Sequence, residues 1–253
     1  MQPFIDLINS FGFTGVDWLV TLLCGFLIGT SKAGVAGAGL IIVPIMAVTF
    51  GGKLSTGIVL PMLIIADVFA VKHYHKHANW KYIVKVTPWA LLGIILAVYV
   101  GHSIDDATFK TIISISVIVG IGIMIWRDLK KSVTIPDYWW FAMVLGSLGG
   151  FASMIGNTAG PIMSLYLLSM RIPKNVFIAT AAWFFFLINL FKVPLHIVYW
   201  ETINTKTLVF NLLVAPSIIL GVFLGIQLVK ILPEKVYRIL VIGTAAISAV
   251  SLL

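Results

Sequence analysis

The sequence predicts an all-helical protein that crosses a membrane many times and consists of two inverted repeats. Three observations predict this class. Of the 253 residues, 60% are hydrophobic and 10% are charged, and the mean hydropathy is +1.08. Apolar runs follow one another along nearly the whole chain. Two of these runs are interrupted by small residues, at similar places in the two halves.

The composition excludes soluble enzymes, nucleic-acid modules and disordered proteins. A soluble globular protein carries about 25% charged residues, and surface scaling limits the buried fraction of such a chain to roughly 75%. The solvent that accepts this composition is a lipid bilayer. The net charge is +8, and the basic residues lie in short loops between apolar runs. This pattern is typical of a membrane protein, so we expect no nucleic-acid partner.

Eight apolar runs define the predicted elements. Six have about the length of one span, since a helix needs ~20 residues to cross ~30 Å. The other two, 17–50 and 139–170, would each extend roughly 50 Å as single helices. The runs lie at 17–50, 55–71, 86–100, 111–126, 139–170, 175–199, 207–229 and 236–253.

Both long runs contain small residues in the middle. These segments are 29–39, which is rich in glycine, and 156–161, which ends in Pro161. Glycine is unfavourable inside a helix, and proline fits best at a helix start. We therefore predict helix, irregular break and helix in each long run, with new helices from about 38 and from about 160.

The repeated break indicates an internal duplication. Gly39 aligns with Gly160 at an offset of 121 residues, and the segment 67–72 aligns with 189–194 at an offset of 122. In both halves one broken run is followed by three spans. We predict a first membrane repeat at 1–130 and a second at 131–253, integrated into one transmembrane domain.

The basic residues distinguish two topologies. If each broken run crosses the membrane once, eight basic residues lie inside and seven outside, which is no bias. If each broken run is a re-entrant hairpin, twelve lie inside and three outside, namely Lys53, Lys110 and Lys206. The positive-inside rule favours the hairpins. The two halves are then inverted, both termini are external, and the broken helices meet near the midplane, as in secondary transporters.

The breaks carry the candidate binding residues. The first contains Ser31 and Lys32, and the second contains Asn157 and Thr158. A lysine at membrane depth is costly and needs a partner, a water-filled cavity or an anion. The helices that start at the breaks point free N–H groups and their positive dipole ends at the same place, which favours a negative ligand. The alternative is a lysine that reaches the interface from a shallow hairpin.

Three further polar residues lie in apolar runs. The presence of the Asp67 carboxylate in an apolar run is explained either by proton coupling or by a salt bridge to a buried lysine. Asn189 and Lys192, three residues apart, share one helix face. They complete the anion site, or Lys192 extends to the membrane interface. His73, His75 and His77 lie in a basic juxtamembrane loop, so we expect no metal there. We expect no cofactor, and the lack of a nucleophile–base pair argues against an enzyme.

The residues at both breaks resemble the TauE/SafE sulfite and organosulfonate exporter family. The first half resembles it in Ser31-Lys32-Ala33-Gly34, Gly37-Ala38-Gly39, Val43-Pro44, Leu60-Pro61, Ala66-Asp67-Val68-Phe69, His73-Tyr74 and Trp80. The second half resembles it in Ile155-Gly156-Asn157-Thr158-Ala159-Gly160-Pro161, Ala182-Trp183-Phe184-Phe185-Phe186, Asn189 and Lys192-Val193-Pro194. The resemblance covers essentially the whole chain.

The resemblance implies a transporter for sulfite or an organosulfonate such as sulfoacetate, in the bacterial inner membrane. A passive anion channel and a membrane subunit without transport of its own are the alternatives, and an assembly of two copies stays open. The candidate substrate-binding residues are Ser31, Lys32, Gly37, Gly39, Asn157, Thr158, Gly160, Asn189 and Lys192, with Asp67 for coupling.

Overall fold

The computed structural model describes residues 11–33, 39–129, 139–170 and 172–231, and its regular elements in these ranges are all helical. The helices are α1 (Gly15–Lys32), α2 (Gly39–Phe50), α3 (Gly52–Tyr74), α4 (Trp80–Ser103), α5 (Asp106–Leu129), α6 (Trp139–Gly156), α7 (Gly160–Ser169), α8 (Lys174–Val198) and α9 (Thr205–Ile231), with a short 3-10 helix at His75–His77.

Seven helices in these ranges are long and apolar enough to cross a membrane. The two exceptions are α2 and α7, which follow the two breaks. The predicted all-helical, polytopic membrane class is therefore confirmed. The last apolar run, 236–253, and the proposed repeat boundary at 130–131 include residues outside the described ranges.

Both long apolar runs divide into two helices, as predicted. The second break spans 157–159, and α7 begins at Gly160. In the first run, α1 continues through Gly29 to Lys32, and α2 is described from Gly39; residues 34–38 between them lie outside the described ranges. Gly29 serves a close helix crossing, described below, and does not unwind the helix.

The helix bundle has two ends, which loop contacts define. At the first end, the backbone N–H of Gly52 at the start of α3 donates to Asp106 Oδ1 at the start of α5, at 2.8 Å. At the second end, the rings of Trp80 and Trp183 lie 5.2 Å apart. Helices α3, α4, α5, α8 and α9 run between these ends.

The two broken runs turn back within the bundle. Phe13, just before α1, lies with its ring centroid 5.0 Å from that of Phe50, the last residue of α2. Phe141 in α6 stacks on Tyr166 in α7, with centroids 6.3 Å apart. We call α1–α2 the first hairpin and α6–α7 the second hairpin. The first returns to the first end, and the second returns to the second end, where the Tyr166 hydroxyl donates to Tyr82 O.

This arrangement matches what the re-entrant interpretation requires of the described helices. Lys53, Lys110 and Lys206 lie in the first turns of α3, α5 and α9, at the first end, whereas Lys72, Lys76 and Lys81 lie around the second end. The positive-inside rule assigns the second end to the cytoplasm. The inverted symmetry of the complete chain and its orientation in the membrane stay predictions.

Each hairpin packs against a span of the other half of the chain, at crossings too close for any side chain. Helix α1 crosses α9, and α6 crosses α4. A Cβ atom at any of four glycines would overlap a carbonyl oxygen of the facing helix: Gly29 with Ile218 O, Gly221 with Phe26 O, Gly150 with Ala90 O, and Gly93 with Ser147 O. Small residues at interfaces are the usual means of bringing membrane helices together.

The two crossings match the predicted repeat in part. Gly150 follows Gly29 by 121 residues, the same offset that relates Gly160 to Gly39, whereas Gly221 follows Gly93 by 128 residues. Two buried cores accompany the crossings: one surrounds the first hairpin with α3 and α9, and the other surrounds the second hairpin with α4, α5 and α8. The tips of both hairpins are thereby held inside the bundle.

Candidate functional site

A cavity of about 200 Å³ lies at the tips of the two hairpins. Residues of α1, α2, α3, α6, α7 and α8 line it, and it extends towards the second end as far as Ala70 and Phe177. Among the residues predicted from the sequence, those in its wall are Ser31, Lys32, Gly39, Asn157, Thr158, Gly160 and Asn189. Gly37 falls in the segment 34–38, outside the described residues.

Two helix N-termini meet the cavity. Gly39 is the first described residue of α2, Gly160 is the first residue of α7, and both are in the cavity wall. The first N–H groups of a helix have no partner within the helix. Together with the helix dipole they give each terminus a partial positive charge of about half a unit. Both hairpins therefore contribute positive potential to the same space.

Lys32 ends α1 and lies in the cavity wall. Its Nζ is 2.6 Å from Asp67 Oδ1 of α3 and 4.6 Å from the ring centroid of Phe185 of α8. The Lys32 side chain keeps 16% of its surface exposed, whereas that of Asp67 is fully buried. The ammonium group thus faces the cavity while it is paired with a carboxylate behind it.

Asp67 is held from a second side. Asn189 Nδ2 donates to Asp67 Oδ2 at 2.7 Å, so both carboxylate oxygens have partners. Asp67 does not line the cavity. Of the two explanations that the sequence leaves open for Asp67, the salt bridge to a lysine is observed. Proton coupling stays a prediction, and the two are compatible.

Lys192 is fully buried, so the expectation that it extends to the membrane interface is wrong. Its Nζ donates to Ser153 O at 2.9 Å, to Ser153 Oγ at 3.1 Å and to Asn157 Oδ1 at 2.7 Å. These three bonds use all three ammonium hydrogens. Lys192 lies outside the cavity wall and supports the tip of the second hairpin.

The tip of the second hairpin has a defined backbone turn. Asn157 has a φ of +54°, in the left-handed region that asparagine tolerates better than most residues. The backbone N–H and the hydroxyl of Thr158 both donate to Ala152 O, which caps the last turn of α6. Because a lysine can only donate, Lys192 fixes the Asn157 amide with its oxygen towards α8. In the part of the chain that the structure describes, Asn157 Nδ2 has no acceptor.

Two residues of this site are not predicted from the sequence. Ser153 binds Lys192 and lines the cavity, and Phe185 lies beside the Lys32 ammonium. Each of the two could have been found from its spacing to a predicted site residue. Ser153 follows Lys32 by the repeat offset of 121 residues, and Phe185 precedes Asn189 by four residues on one face of α8.

The site has one more basic than acidic side chain, since Lys32 and Lys192 lie beside the single carboxyl group of Asp67. Lys32 is the basic residue among those described in the cavity wall. The remaining wall is largely apolar, with Ile28, Val43, Val59, Leu63, Pro161 and Ile178 among its members. Such a cavity suits a small anion with an apolar part.

Comparison with known proteins identifies a family for this chain. The family described as "Sulfite exporter TauE/SafE" matches residues 21–252, which is nearly the whole chain and includes the tips of both hairpins. No curated protein and no solved structure matches the chain. The match and the seven apolar helices indicate a multi-pass membrane protein of the bacterial inner membrane. The chain belongs to the TauE/SafE sulfite exporter family.

Proposed function

We propose that the protein is a secondary transporter that exports an organosulfonate or sulfite through the cavity between the hairpins. One observation carries the proposal: Lys32 and the N-termini of α2 and α7 converge on the wall of a single cavity. Charge-assisted hydrogen bonds contribute roughly 1.5–3 kcal/mol each. Such bonds would replace the water that an oxyanion loses on entering the membrane.

The dimensions of the cavity favour an organosulfonate over the bare oxyanion. The cavity volume is about 200 Å³, whereas ~10–15 Å³ is enough to hold one water molecule. Sulfite has only four non-hydrogen atoms, so it would leave part of this volume unfilled. The apolar wall on α3 and α8, which includes Val59, Leu63 and Ala181, would accommodate a short hydrocarbon group. The sulfonate group would then lie against Lys32 and the hairpin tips.

We propose Asp67 as the residue that couples transport to protons. It is buried beside Lys32, and a carboxyl group there can change the charge of the site without touching the anion. Intramembrane carboxylates are common members of proton relays. The lining of the cavity reaches Ala70 and Phe177 near the second end, which the positive-inside rule assigns to the cytoplasm, and an exporter loads its substrate from that side.

A flux screen in liposomes tests the proposal. The substrates are sulfite, sulfate, ethanesulfonate, sulfoacetate and propanoate, each measured by counterflow against a gradient of the same anion. We expect ethanesulfonate and sulfite to be transported and propanoate to be poorly transported. Counterflow distinguishes a transporter from a passive channel, and absence of all flux would contradict the proposal.

A pair of variants locates the site. Ala181→Leu adds bulk to the apolar wall, so it should reduce ethanesulfonate flux more than sulfite flux. Leu190→Ala, on an exposed face of the same helix, is the control and should change neither flux. Equal effects of both variants on both substrates would place the pathway elsewhere.

A further inference from the structure

Lys32 contacts Asp67 and also lines the cavity. An anion in the cavity and the Asp67 carboxylate would therefore share one ammonium group. Lys32 Nζ contacts Asp67 Oδ1 at 2.6 Å, and the lysine also lines the cavity. Asp67 is fully buried and is not in the cavity wall. An anion that enters the cavity therefore meets a lysine whose charge is already compensated.

The groups around Asp67 are few. Lys32 faces it from α1, and Asn189 and Lys192 face it from α8, where His196 lies one turn beyond Lys192. On α3 itself, the exposed Lys72 and His73 follow in the last turns. The Tyr74 hydroxyl at the end of α3 donates to Ala33 O.

The other elements packed against α3 place their described charged side chains towards its ends. His75, Lys76 and His77 of the 3-10 helix are exposed beyond the second end of α3, and Asp17 of α1 lies at the first end. Helices α2 and α6 contain no charged residue. Asp106 and Lys110 of α5 and Lys206 of α9 lie at the first end, about 22 Å along α3 from Asp67 at 1.5 Å per residue.

We propose that anion binding and protonation of Asp67 occur together, so that the protein carries a proton and its anion in the same direction. The inference rests on the proposed function. When the anion takes the Lys32 ammonium, it brings a second negative charge beside the buried Asp67 carboxylate. A proton on Asp67 removes that repulsion, and Asn189 still has a carboxyl oxygen to donate to. By reciprocity, protonation releases Lys32 and favours the anion.

This linkage excludes simple exchange of the proton for the anion at this site. Exchange requires that the proton and the anion compete for one group. Here the proton neutralises the Asp67 carboxylate, which is the group that competes with the anion for Lys32. A singly charged sulfonate and one proton would move without net charge, so the membrane potential would not act on them. An outside-acidic pH gradient would oppose their export, and the outward concentration gradient of the sulfonate would have to drive it. A doubly charged oxyanion and one proton would move one negative charge, which an inside-negative membrane potential drives outwards.

Proton uptake on binding tests the inference. Purified protein is titrated with ethanesulfonate, which keeps its charge across the neutral range, in buffers of different ionisation enthalpy. For the wild type we expect proton uptake on binding. The dissociation constant should rise with pH, by up to about tenfold per pH unit where Asp67 titrates.

Asp67→Asn should bind ethanesulfonate at least as tightly, without proton uptake and without this pH dependence. The asparagine keeps an oxygen for Asn189, so the fold should be retained.

Asp105→Asn is the matched control. Hydrogen bonds from Thr108 hold the pKa of the exposed Asp105 below its usual value, and asparagine caps the helix start equally well. This variant should behave as the wild type. Binding without proton uptake in the wild type, or an unchanged pH dependence in Asp67→Asn, would overturn the inference alone. Failure of the wild type to bind any sulfonate would overturn the proposed function and the inference together.

Discussion

Asn189 donates a hydrogen bond to Asp67 at 2.7 Å, and the two residues occupy corresponding positions in the two halves of the chain, 122 residues apart. One half therefore supplies a carboxylate and the other an amide at the contact between α3 and α8. An amide can donate to a carboxylate, whereas two carboxylates would repel each other. The difference between the halves at this position makes the contact stable and leaves the cavity asymmetric.

Lys32→Gln should remove anion binding and also destabilise the protein. Loss of the ammonium leaves Asp67 without its cation, and breaking a buried ion pair costs about 3–5 kcal/mol. The double variant Lys32→Gln with Asp67→Asn removes both charges and should recover most of the thermal stability without recovering ethanesulfonate binding. Thermal unfolding with and without ethanesulfonate measures both effects. Lys32→Arg should keep partial binding. Normal binding by the double variant would show that Lys32 is not part of the site.

Asn157→Asp should separate stability from binding. The new carboxylate would face Lys192 at the position where Asn157 Oδ1 now lies at 2.7 Å, so the thermal midpoint should stay the same or rise. The substitution replaces the Nδ2 donor with an acceptor, and ethanesulfonate affinity should fall on the order of tenfold, which corresponds to 1.4 kcal/mol. Asn204→Asp, which keeps the cap on Thr207 at the first end, is the control for added charge. Equal affinity in both variants would exclude Asn157 from the site.

Gly150→Ala should destabilise the crossing between α6 and α4. A Cβ there overlaps Ala90 O, and overpacking typically costs 1–3 kcal/mol. Gly122→Ala in α5 is the matched control, because a Cβ at Gly122 meets nothing within 4 Å. It should be neutral or stabilising by roughly 0.5–1 kcal/mol, from helix propensity. Thermal unfolding of the two variants in one detergent checks this. A loss as large in Gly122→Ala would mean that the crossing is not the cause.

Cysteine accessibility should show the cavity open towards the cytoplasm. In a Cys24→Ala background, Ala181→Cys lies in the cavity wall and Lys206→Cys lies at the first end. An impermeant maleimide should label position 181 in inside-out vesicles and position 206 in intact cells. Ethanesulfonate should slow the labelling of position 181. The reverse pattern would invert the proposed topology.

The sequence was sufficient to predict the breaks and most of the polar residues at the hairpin tips, whereas the apolar part of the cavity wall was not predicted. Glycine, proline and length locate both breaks, and the cost of burying charge identifies Lys32 and Asp67. The pairing of these two residues could not be predicted, because it depends on how α1 and α3 approach each other. Gly29 was assigned to the break for a similar reason: a glycine that unwinds a helix and one that permits a close crossing look alike in sequence.

Lys192 illustrates the same limit at the level of one side chain. Its spacing from Asn189 places it on the correct face of α8, but a lysine can extend in several directions from that face. Its actual direction depends on Ser153 and Asn157, which accept all three of its hydrogen bonds. Those acceptors become available only when the second hairpin has folded beside α8.

The glycine crossings have a consequence for biosynthesis. Gly93 and Gly150 of the α4–α6 crossing are about 60 residues apart, whereas Gly29 of α1 and Gly221 of α9 are about 190 residues apart. At ~5–20 residues per second, the ribosome delivers the partner of α1 roughly 10–40 s after α1 itself. During that interval the first hairpin lacks its closest neighbour, so it is the element that would depend on insertion factors, and the second hairpin would be in place before it.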